Sequence, residues 1–456
     1  MKMSEFAKLL SKEAYNFKEC EIDGFSIDSR KIGKNQVFIA IKTEKNDGHN
    51  YLEDALKKGA CGFLVSYKRR SLDLDAFPNL FFVADTVSAL QKAAKKHAEN
   101  KIKKSVAITG SAGKTTTKEL IFHIFKSYYK TKCTPGNFNN TLGLPLSILN
   151  EVKDNIDYFV AEFGMSYKGE IAKLVEILNP DIRVWLNVFS AHLGNFNSIE
   201  EIREAKAEIL LKQSPNNLVV YNIDDIFVKS SVERSVGIKY SFGKSEKADL
   251  RIVRCLTFLD YSEITFAYEN AEFTVKTNLT GEHNCYNVAA AILTALLADI
   301  PLRNVIESCE NFIPVKNRGF FEIKGDIFLF NDTYNSNPEA LKRVITHFSS
   351  VPHNGRKVII VGDMLELGKF SERKHREIGK LLNESNFDLI ITWGKESEFI
   401  NMELKNKENY HFGKNTDVVD KLENLIKSGD LVVVKASRGM RGEVIVDAIK
   451  EKWGEK

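Results

Sequence analysis

Apolar residues along the chain fall into short continuous runs separated by longer stretches in which they return every three or four positions. In the first hundred residues the runs "QVFIAIK", "GFLVS" and "LFFVA" have strand length, while "YLEDALKKGA" and "VSALQKAAKKHAEN" have helical spacing. Together they predict a small α/β unit. The polar stretch "AENKIKKS" leads into a second segment, with strands predicted at "SVAITG", "DYFVAEFG", "IRVWLNV" and "NLVVYN". After "NFIPVKNRG" a third alternation begins, with strands "KVIIVGD", "LIITWG" and "LVVVKAS" between helical stretches near 371–384, 396–405, 416–428 and 440–452. Apolar strands alternating with helices favour parallel, doubly wound sheets. The expected fold is α/β in three domains, divided at 1–103, 104–314 and 315–456.

Composition narrows the class. A chain of 456 residues is too long for one ordinary core, and 43% hydrophobic with 28% charged residues reads as water-soluble and globular. The 65 basic and 61 acidic side chains leave a net charge of +4, which argues against a protein built to hold nucleic acid. The longest apolar stretch, "VAAAILTALLA" at 288–298, is about half a membrane span, so a buried helix and no membrane insertion are expected. The start, "MKMSEFAKLLSKEAYNF", reads as an amphipathic helix rather than a signal peptide. Six cysteines (Cys20, Cys61, Cys133, Cys255, Cys285 and Cys309) form no C-x-x-C pair. Neither zinc site nor disulfide framework is expected, and reduced thiols in a cytoplasmic protein are the plain reading.

The strongest chemical signal is "VAITGSAGKTTTKEL" at 106–120. Gly110 and Gly113, flanking Ser111 and Ala112, permit a tight turn whose N–H groups can face an anion, with a helix dipole behind it. Lys114 can reach phosphates, Thr115 can offer a hydroxyl to Mg²⁺, and Thr116 follows in the first helical turn. Leu120, Ile121, Ile124 and Phe125 supply one apolar helix face. A bound nucleotide is expected, although Ile108 stands where the strict phosphate-loop pattern has its first glycine.

Glu162 ends one predicted strand and His192 follows another, so both belong at the carboxyl edge of a parallel sheet, where α/β proteins bind ligands. Each alone reads as an ordinary solvated residue; together they could hold a metal. In "SIEEIREAKAEILLK", Ile202, Lys206 and Ile209 share one stripe, which gives a lysine a buried-facing position. Spacing alone favours snorkelling. The sharper alternative is conversion of the amine by CO₂ to an anionic carbamate.

Seven segments, the phosphate loop among them, carry a resemblance. "TGSAGKTTT", "TPGNFNNTLGLPLSIL", "AEFGMSYKGEI", "NVFSAHLGNFNSIEEIREAKAEIL", "TGEHNCYNVAAA", "NDTYNSNPEAL" and "VGDMLELG" resemble, in order, the motifs of the Mur ligases. "SIDSRKIGKNQVFIAI" and "NDGHNYLEDALKKGA" are similar to that family's uridine-nucleotide domain, so the likeness spans nearly the whole chain. It implies an N-terminal uridine-nucleotide-binding domain, a central P-loop ATPase-type domain and a C-terminal Rossmann-like domain. "NDTYNSNPEAL" and "LVVVKASRG" look most like the branch that adds D-alanyl-D-alanine to UDP-N-acetylmuramoyl-tripeptide, and the Asp-Asn-Pro-Arg-type motif of the third-residue-adding branch does not occur. The implied reaction consumes ATP, passes through an acyl phosphate and gives the peptidoglycan pentapeptide precursor, ADP and phosphate. No stable partner is implied, and a monomer is expected.

The resemblance assigns the residues as well. Lys114, Thr115 and Thr116 fall at ATP and a first Mg²⁺; Glu162 and His192 match metal ligands for a second, and Lys206 matches a carbamylated lysine. His283, Asn284 and Asn287 match a segment beside the nucleotide, and Arg318 and Asp332 match groups that reach it from the hinge and the C-terminal domain. Ser29, Arg30, Asp47, Gly48 and His49 are the implied uridine-nucleotide contacts. Asn137, Asn140, Tyr334, Asn335, Asn337, Lys435 and Ser437 border the two peptide substrates. Ala436 departs from the glycine common there. Three rivals stay open: a third-residue-adding ligase, a folylpolyglutamate synthase-like enzyme, and a regulatory nucleotide-binding protein that uses closure to engage a partner.

Overall fold

The computed structural model describes residues 1–66, 74–189 and 195–454. Three sheets follow one another along the chain. The first is wholly parallel, in the order β1 (Gly24–Ser26), β2 (Gln36–Ile39), β3 (Gly62–Ser66), β4 (Leu80–Val83). The second has nine strands: β5 (Ile102–Thr109), β6 (Thr131–Cys133), β7 (Ile156–Glu162), β8 (Ile182–Trp185), β9 (Leu218–Asn222), β10 (Ile238–Gly243), β11 (Leu250–Thr257), β12 (Ser262–Tyr268) and β13 (Ala271–Thr277). Its spatial order is β13-β12-β11-β10-β9-β8-β5-β7-β6, parallel from β6 to β11 and antiparallel beyond. The third contains β14 (Phe320–Lys324), β15 (Ile327–Asp332), β16 (Lys357–Gly362), β17 (Leu389–Trp393), β18 (Glu408–Phe412) and β19 (Leu431–Lys435), in the order β14-β15-β19-β16-β17-β18.

Burial explains which strands the apolar pattern exposes. β16, β17 and β19 are buried along their whole lengths and read as unbroken apolar runs. The segment β11–β13 carried no comparable signal. It alternates buried with exposed positions, and a register shift between Ile252 and Arg254 interrupts even that alternation. The predicted buried helix is Glu282–Leu296, and the helix predicted near 396–405 shrinks to Glu398–Asn401.

The first two sheets share a core. Phe6, Leu64, Phe81, Leu90 and Ala94 join one apolar cluster with Leu144, Ile148, Ile171 and Leu174. Polar contacts fix the same junction. The Asn150 carboxamide accepts from Phe25 N at 2.8 Å and donates to Phe25 O at 3.0 Å, and His97 Nε2 donates to Val152 O at 2.7 Å. The third sheet has its own two cores, against one of which Leu259 of the second unit packs. Burying the N-terminal and central units together while leaving the C-terminal unit on separate cores gives the last unit the freer junction.

One expectation is corrected. Cys255 of β11 and Cys285 of the Glu282–Leu296 helix are joined as a disulfide, with Cα atoms 6.5 Å apart. Thirty residues of sequence separate them, and only the packing of helix on sheet brings them together. Thiol titration of the unreduced, denatured protein is expected to find Cys20, Cys61, Cys133 and Cys309 only, and reduction to expose the other two. All six reacting without reductant would show the pair open.

Candidate active site

The loop Gly110–Gly113 leaves β5 and enters the helix Lys114–Lys126, whose first N–H groups have no intrahelical partner and face the same edge. The loop is held from the exit of β8. Asn187 pairs its carboxamide with Ala112, accepting from Ala112 N at 2.9 Å and donating to Ala112 O at 3.1 Å. Ser111 N donates to Asn187 O at 3.1 Å. The Ser111 hydroxyl donates to Phe189 O at 3.1 Å and accepts from Phe189 N at 2.9 Å. Gly113 has φ 84°, and a Cβ there would lie 2.2 Å from Asn287 Oδ1. Asn287 is set by Asn284 at 2.8 Å, and Asn284 by Thr280 O at 2.7 Å, so this asparagine pair forms the wall against the loop.

Charge gathers at the loop. Lys114 Nζ donates to Gly110 O at 2.7 Å, and Lys206 Nζ donates to the same carbonyl at 3.1 Å. Lys206 is 2% exposed, so it does not snorkel. Burial, then the neighbouring Lys114 charge, hold its amine well below the usual lysine range, with Glu162 opposing. Burial also lowers Lys114, opposed by Glu162 and aided by Arg318. Glu162, 3% exposed, accepts from the Thr115 hydroxyl on Oε2 and from Asn139 Nδ2 at 2.8 Å on Oε1. Lys114, Lys206 and Arg318 are thus basic groups gathered at the loop, with Glu162 as the carboxylate that opposes the two lysines, an arrangement that favours a further anion. The Thr115 hydroxyl and Glu162 carboxylate are hard oxygen donors suited to Mg²⁺. Among the described residues no three His, Cys, Asp or Glu side chains cluster as a ready metal site, and His192 lies outside the described residues.

The C-terminal unit contributes a second wall. Arg318 stacks on the Tyr334 ring, 3.6 Å from its centroid, with Arg438 5.5 Å from the same ring. Thr116 and Arg318 line one small depression together with Phe312, Pro314 and Val315. Asp332 and Lys435, facing each other in register on β15 and β19, form an ion pair, and Lys435 also donates to Asn335 O at 3.0 Å. Asn337 caps the helix Pro338–Ser350 by accepting from Ala340 N at 2.9 Å. The Ser437 hydroxyl joins Ser336 O and Leu365 N. Burial, followed by Arg343, His347 and Lys435, pulls His283 down to about 3.

In the N-terminal unit Arg30 forks onto Asp28, both contacts being 2.9 Å, and holds that carboxyl at about 2. Lys58 Nζ donates to the carbonyls of Ser29 and Arg30. Asp47 accepts from His49 Nδ1 at 2.7 Å, while His49 Nε2 accepts from Ser66 N at 3.0 Å. Both ring nitrogens are engaged within the unit, so His49 shapes the turn that carries Asp47 and Gly48. Gly48 allows the turn to approach Ile41, whose backbone nitrogen would lie 2.7 Å from a Cβ.

Sequence reasoning named Asn137 and Asn140 but missed Asn139 between them. Asn137 is exposed and Asn140 Oδ1 accepts from Leu142 N and Gly143 N at the start of a helix, while Asn139 meets Glu162. Lys118 was missed too. It is fully buried, and its Nζ donates to Thr134 O and Gly136 O, tying this asparagine loop to the helix behind the phosphate loop. Its position one turn after Lys114 was the available signal. Asn187, the first residue of "NVFSAHLG", gave none.

A phosphate loop on a mixed nine-stranded sheet, between two further α/β units, defines a three-domain protein built around an anion-binding centre. Models of the Mur ligase middle domain match residues 108–295, the Mur ligase glutamate ligase domain residues 320–438, and the Mur ligase family catalytic domain residues 21–109. The chain belongs to the Mur ligase family. It is 31% identical over 448 residues to the UDP-N-acetylmuramoyl-tripeptide–D-alanyl-D-alanine ligase of Bacillus subtilis, covering 95% of this chain and 94% of that protein. Among solved structures it resembles MurF of Acinetobacter baumannii (TM-score 0.88, 27% identity, 98% of both chains). It also resembles the Thermotoga maritima MurF ligase in complex with ADP (TM-score 0.83, 31% identity, 94% of this chain and 97% of that one).

Gly113→Ala is expected to lower ADP affinity at least about tenfold, because its Cβ meets Asn287 and its φ strains any side chain. Unchanged affinity by calorimetry would show that the loop adjusts. A second expectation concerns His347, 8% exposed, whose Nε2 meets the Thr280 hydroxyl at 2.9 Å. Burial pulls it from 6.5 to about 4. Between those values the unfolded chain binds a proton that the folded protein refuses, so stability falls as pH drops through that window, by on the order of 3 kcal/mol. Thermal melts should show a shallower acid loss for His347→Gln than for wild type; parallel losses would remove His347 as the cause.

Proposed function

We propose that the chain is an ATP-dependent ligase that joins D-alanyl-D-alanine to UDP-N-acetylmuramoyl-tripeptide. The observation that carries this is the convergence of Lys114 and Lys206 on the Gly110 carbonyl beside Glu162, in a chain similar over nearly its full length to ligases of that name. Anionic tripeptide and anionic ATP repel each other, and a cationic buried centre offsets that repulsion.

The tripeptide's terminal carboxylate oxygen attacks the γ-phosphorus, the bond to the β-phosphate oxygen breaks, and ADP separates from an acyl phosphate. The dipeptide amine attacks the acyl carbon, loses a proton, and phosphate leaves as the tetrahedral centre collapses. Gly110, Ser111, Ala112 and Gly113 cradle the phosphates, Lys114 stabilises charge on the transferred group, and Asn284 and Asn287 keep the loop in shape. Thr115, Glu162, His192 and a carbamylated Lys206 would hold two magnesium ions, which supply charge neutralisation when bound. Lys206 suits carbamate formation because burial favours its neutral amine, the form that reacts with CO₂. Thr116, His283, Arg318 and Asp332 complete the nucleotide side.

Residues 1–103 hold the uridine nucleotide, with Ser29, Arg30 and the Asp47–Gly48 turn as contacts. Residues 104–314 hold ATP, with Asn137 and Asn140 bordering the donor peptide. Residues 315–456 present the acceptor, bordered by Tyr334, Asn335, Asn337, Lys435 and Ser437. We read the protein as a cytoplasmic monomer on the nucleotide substrates of the proposed reaction rather than on its cysteines, two of which are paired.

Phosphate release is measured with ATP, Mg²⁺ and UDP-N-acetylmuramoyl-tripeptide, with and without D-alanyl-D-alanine. Release that depends on the dipeptide, with the matching mass gain on the nucleotide sugar, is expected. Dependence on a single amino acid instead would assign another ligase, and release indifferent to any acceptor would overturn ligation. Lys206→Met is expected to lose activity by about 10²-fold or more and to lack the carbamate carbon resonance that labelled bicarbonate gives the wild type. A wild type without that resonance would remove the carbamate.

A further inference from the structure

The exit of β8 is gripped residue by residue. Asn187 pairs with Ala112, Val188 N donates to Asp225 Oδ2 at 2.8 Å, and Phe189 exchanges two hydrogen bonds with the Ser111 hydroxyl. One group from the C-terminal unit reaches the same strip. The guanidinium carbon of Arg343, on the helix Pro338–Ser350, lies 4.4 Å from the centroid of the Phe189 ring.

Arg343 is half-buried and, among the described residues, meets the Phe189 ring with no hydrogen bond or ion pair. Burial disfavours its charge, and Glu339, Tyr286, Glu282 and Asp225 are the nearby groups that support it. One turn later on the same helix, His347 meets Thr280, which precedes the Asn284 and Asn287 wall. The helix therefore sets two side chains, four residues apart, on the two structures that shape the phosphate loop. A cation over an aromatic face is a reversible contact of modest strength, suited to a domain that docks and releases. We propose that Arg343 is a positioning residue for ligation: by stacking on Phe189 it transmits docking of the C-terminal unit to Ser111 and the phosphate loop. This rests on the ligase reading above.

The test uses the full chain with Arg343→Met, Arg343→Lys, Phe189→Leu and the Arg343→Met/Phe189→Leu double variant. Arg343→Met is expected to lower kcat about tenfold while KM for ATP stays near the wild-type value, and Arg343→Lys to restore most of the loss. Phe189→Leu should lose as much as Arg343→Met, and the double variant no more than either. A general packing defect would instead lower melting temperature and would not be rescued by lysine. With ADP bound, amide hydrogen exchange across 186–189 and 110–113 should be faster in Arg343→Met than in wild type. Wild-type kcat and exchange in Arg343→Met, or single losses that multiply in the double variant, would overturn the proposal. The exchange measurement needs only ADP, so it decides the Arg343 contact even where wild type shows no dipeptide-dependent turnover and the ligase reading itself fails.

Discussion

Two lysine amines share the carbonyl of Gly110, in a site where Glu162 is the carboxylate that opposes them. Among the described residues neither lysine has a carboxylate ion-pair partner of its own, and buried charge of one sign is costly unless something compensates it. The Glu162 oxygens are already committed to Thr115 and Asn139. A phosphate group arriving at the loop would relieve this imbalance, and so would the proposed conversion of the Lys206 amine to an anionic carbamate. The arrangement is poorly satisfied alone and well satisfied with ligands, which is how binding energy is reserved for the reacting state.

Rigidity is distributed to match. The asparagine loop, the β8 exit and the asparagine wall each hold one side of the phosphate cradle, and all three belong to a body that shares its core with the N-terminal unit. The C-terminal unit, which keeps separate cores, meets that body through Arg318, Arg343 and His347 and through an apolar contact with Leu259. Donor and phosphate would thus be aligned on one rigid piece, while the acceptor arrives on a unit whose junction costs less apolar burial to open.

The parts of this design visible in the sequence are those with local signatures. A strand, two glycines, a lysine and an apolar helix face announce the cradle within fifteen residues. Lys206 was visible as a lysine on an apolar stripe, although spacing alone favoured snorkelling, and its depth appeared only once the sheet placed Gly110 beside it. Elsewhere the signal was non-local. Nothing in "TPGNFNNT" tells which of three asparagines turns toward Glu162, because loop side chains follow no period. The pairing of Asp332 with Lys435 spans a parallel register between strands a hundred residues apart, and the Cys255–Cys285 link likewise depends on tertiary packing. His49 reads from the sequence as a ligand contact because short turns of Asp, Gly and His suit both tasks; in the structure its ring nitrogens meet Asp47 and Ser66 N and hold the turn.

A cationic centre that lets a carboxylate attack ATP leaves a trace in where the carboxylate oxygens go. The terminal carboxylate of UDP-N-acetylmuramoyl-tripeptide is labelled with heavy oxygen and the label followed during ligation. Activation as an acyl phosphate delivers one labelled oxygen to the released phosphate for each peptide bond formed. Phosphate carrying no label beyond natural abundance, in a reaction that still makes the amide, would contradict it.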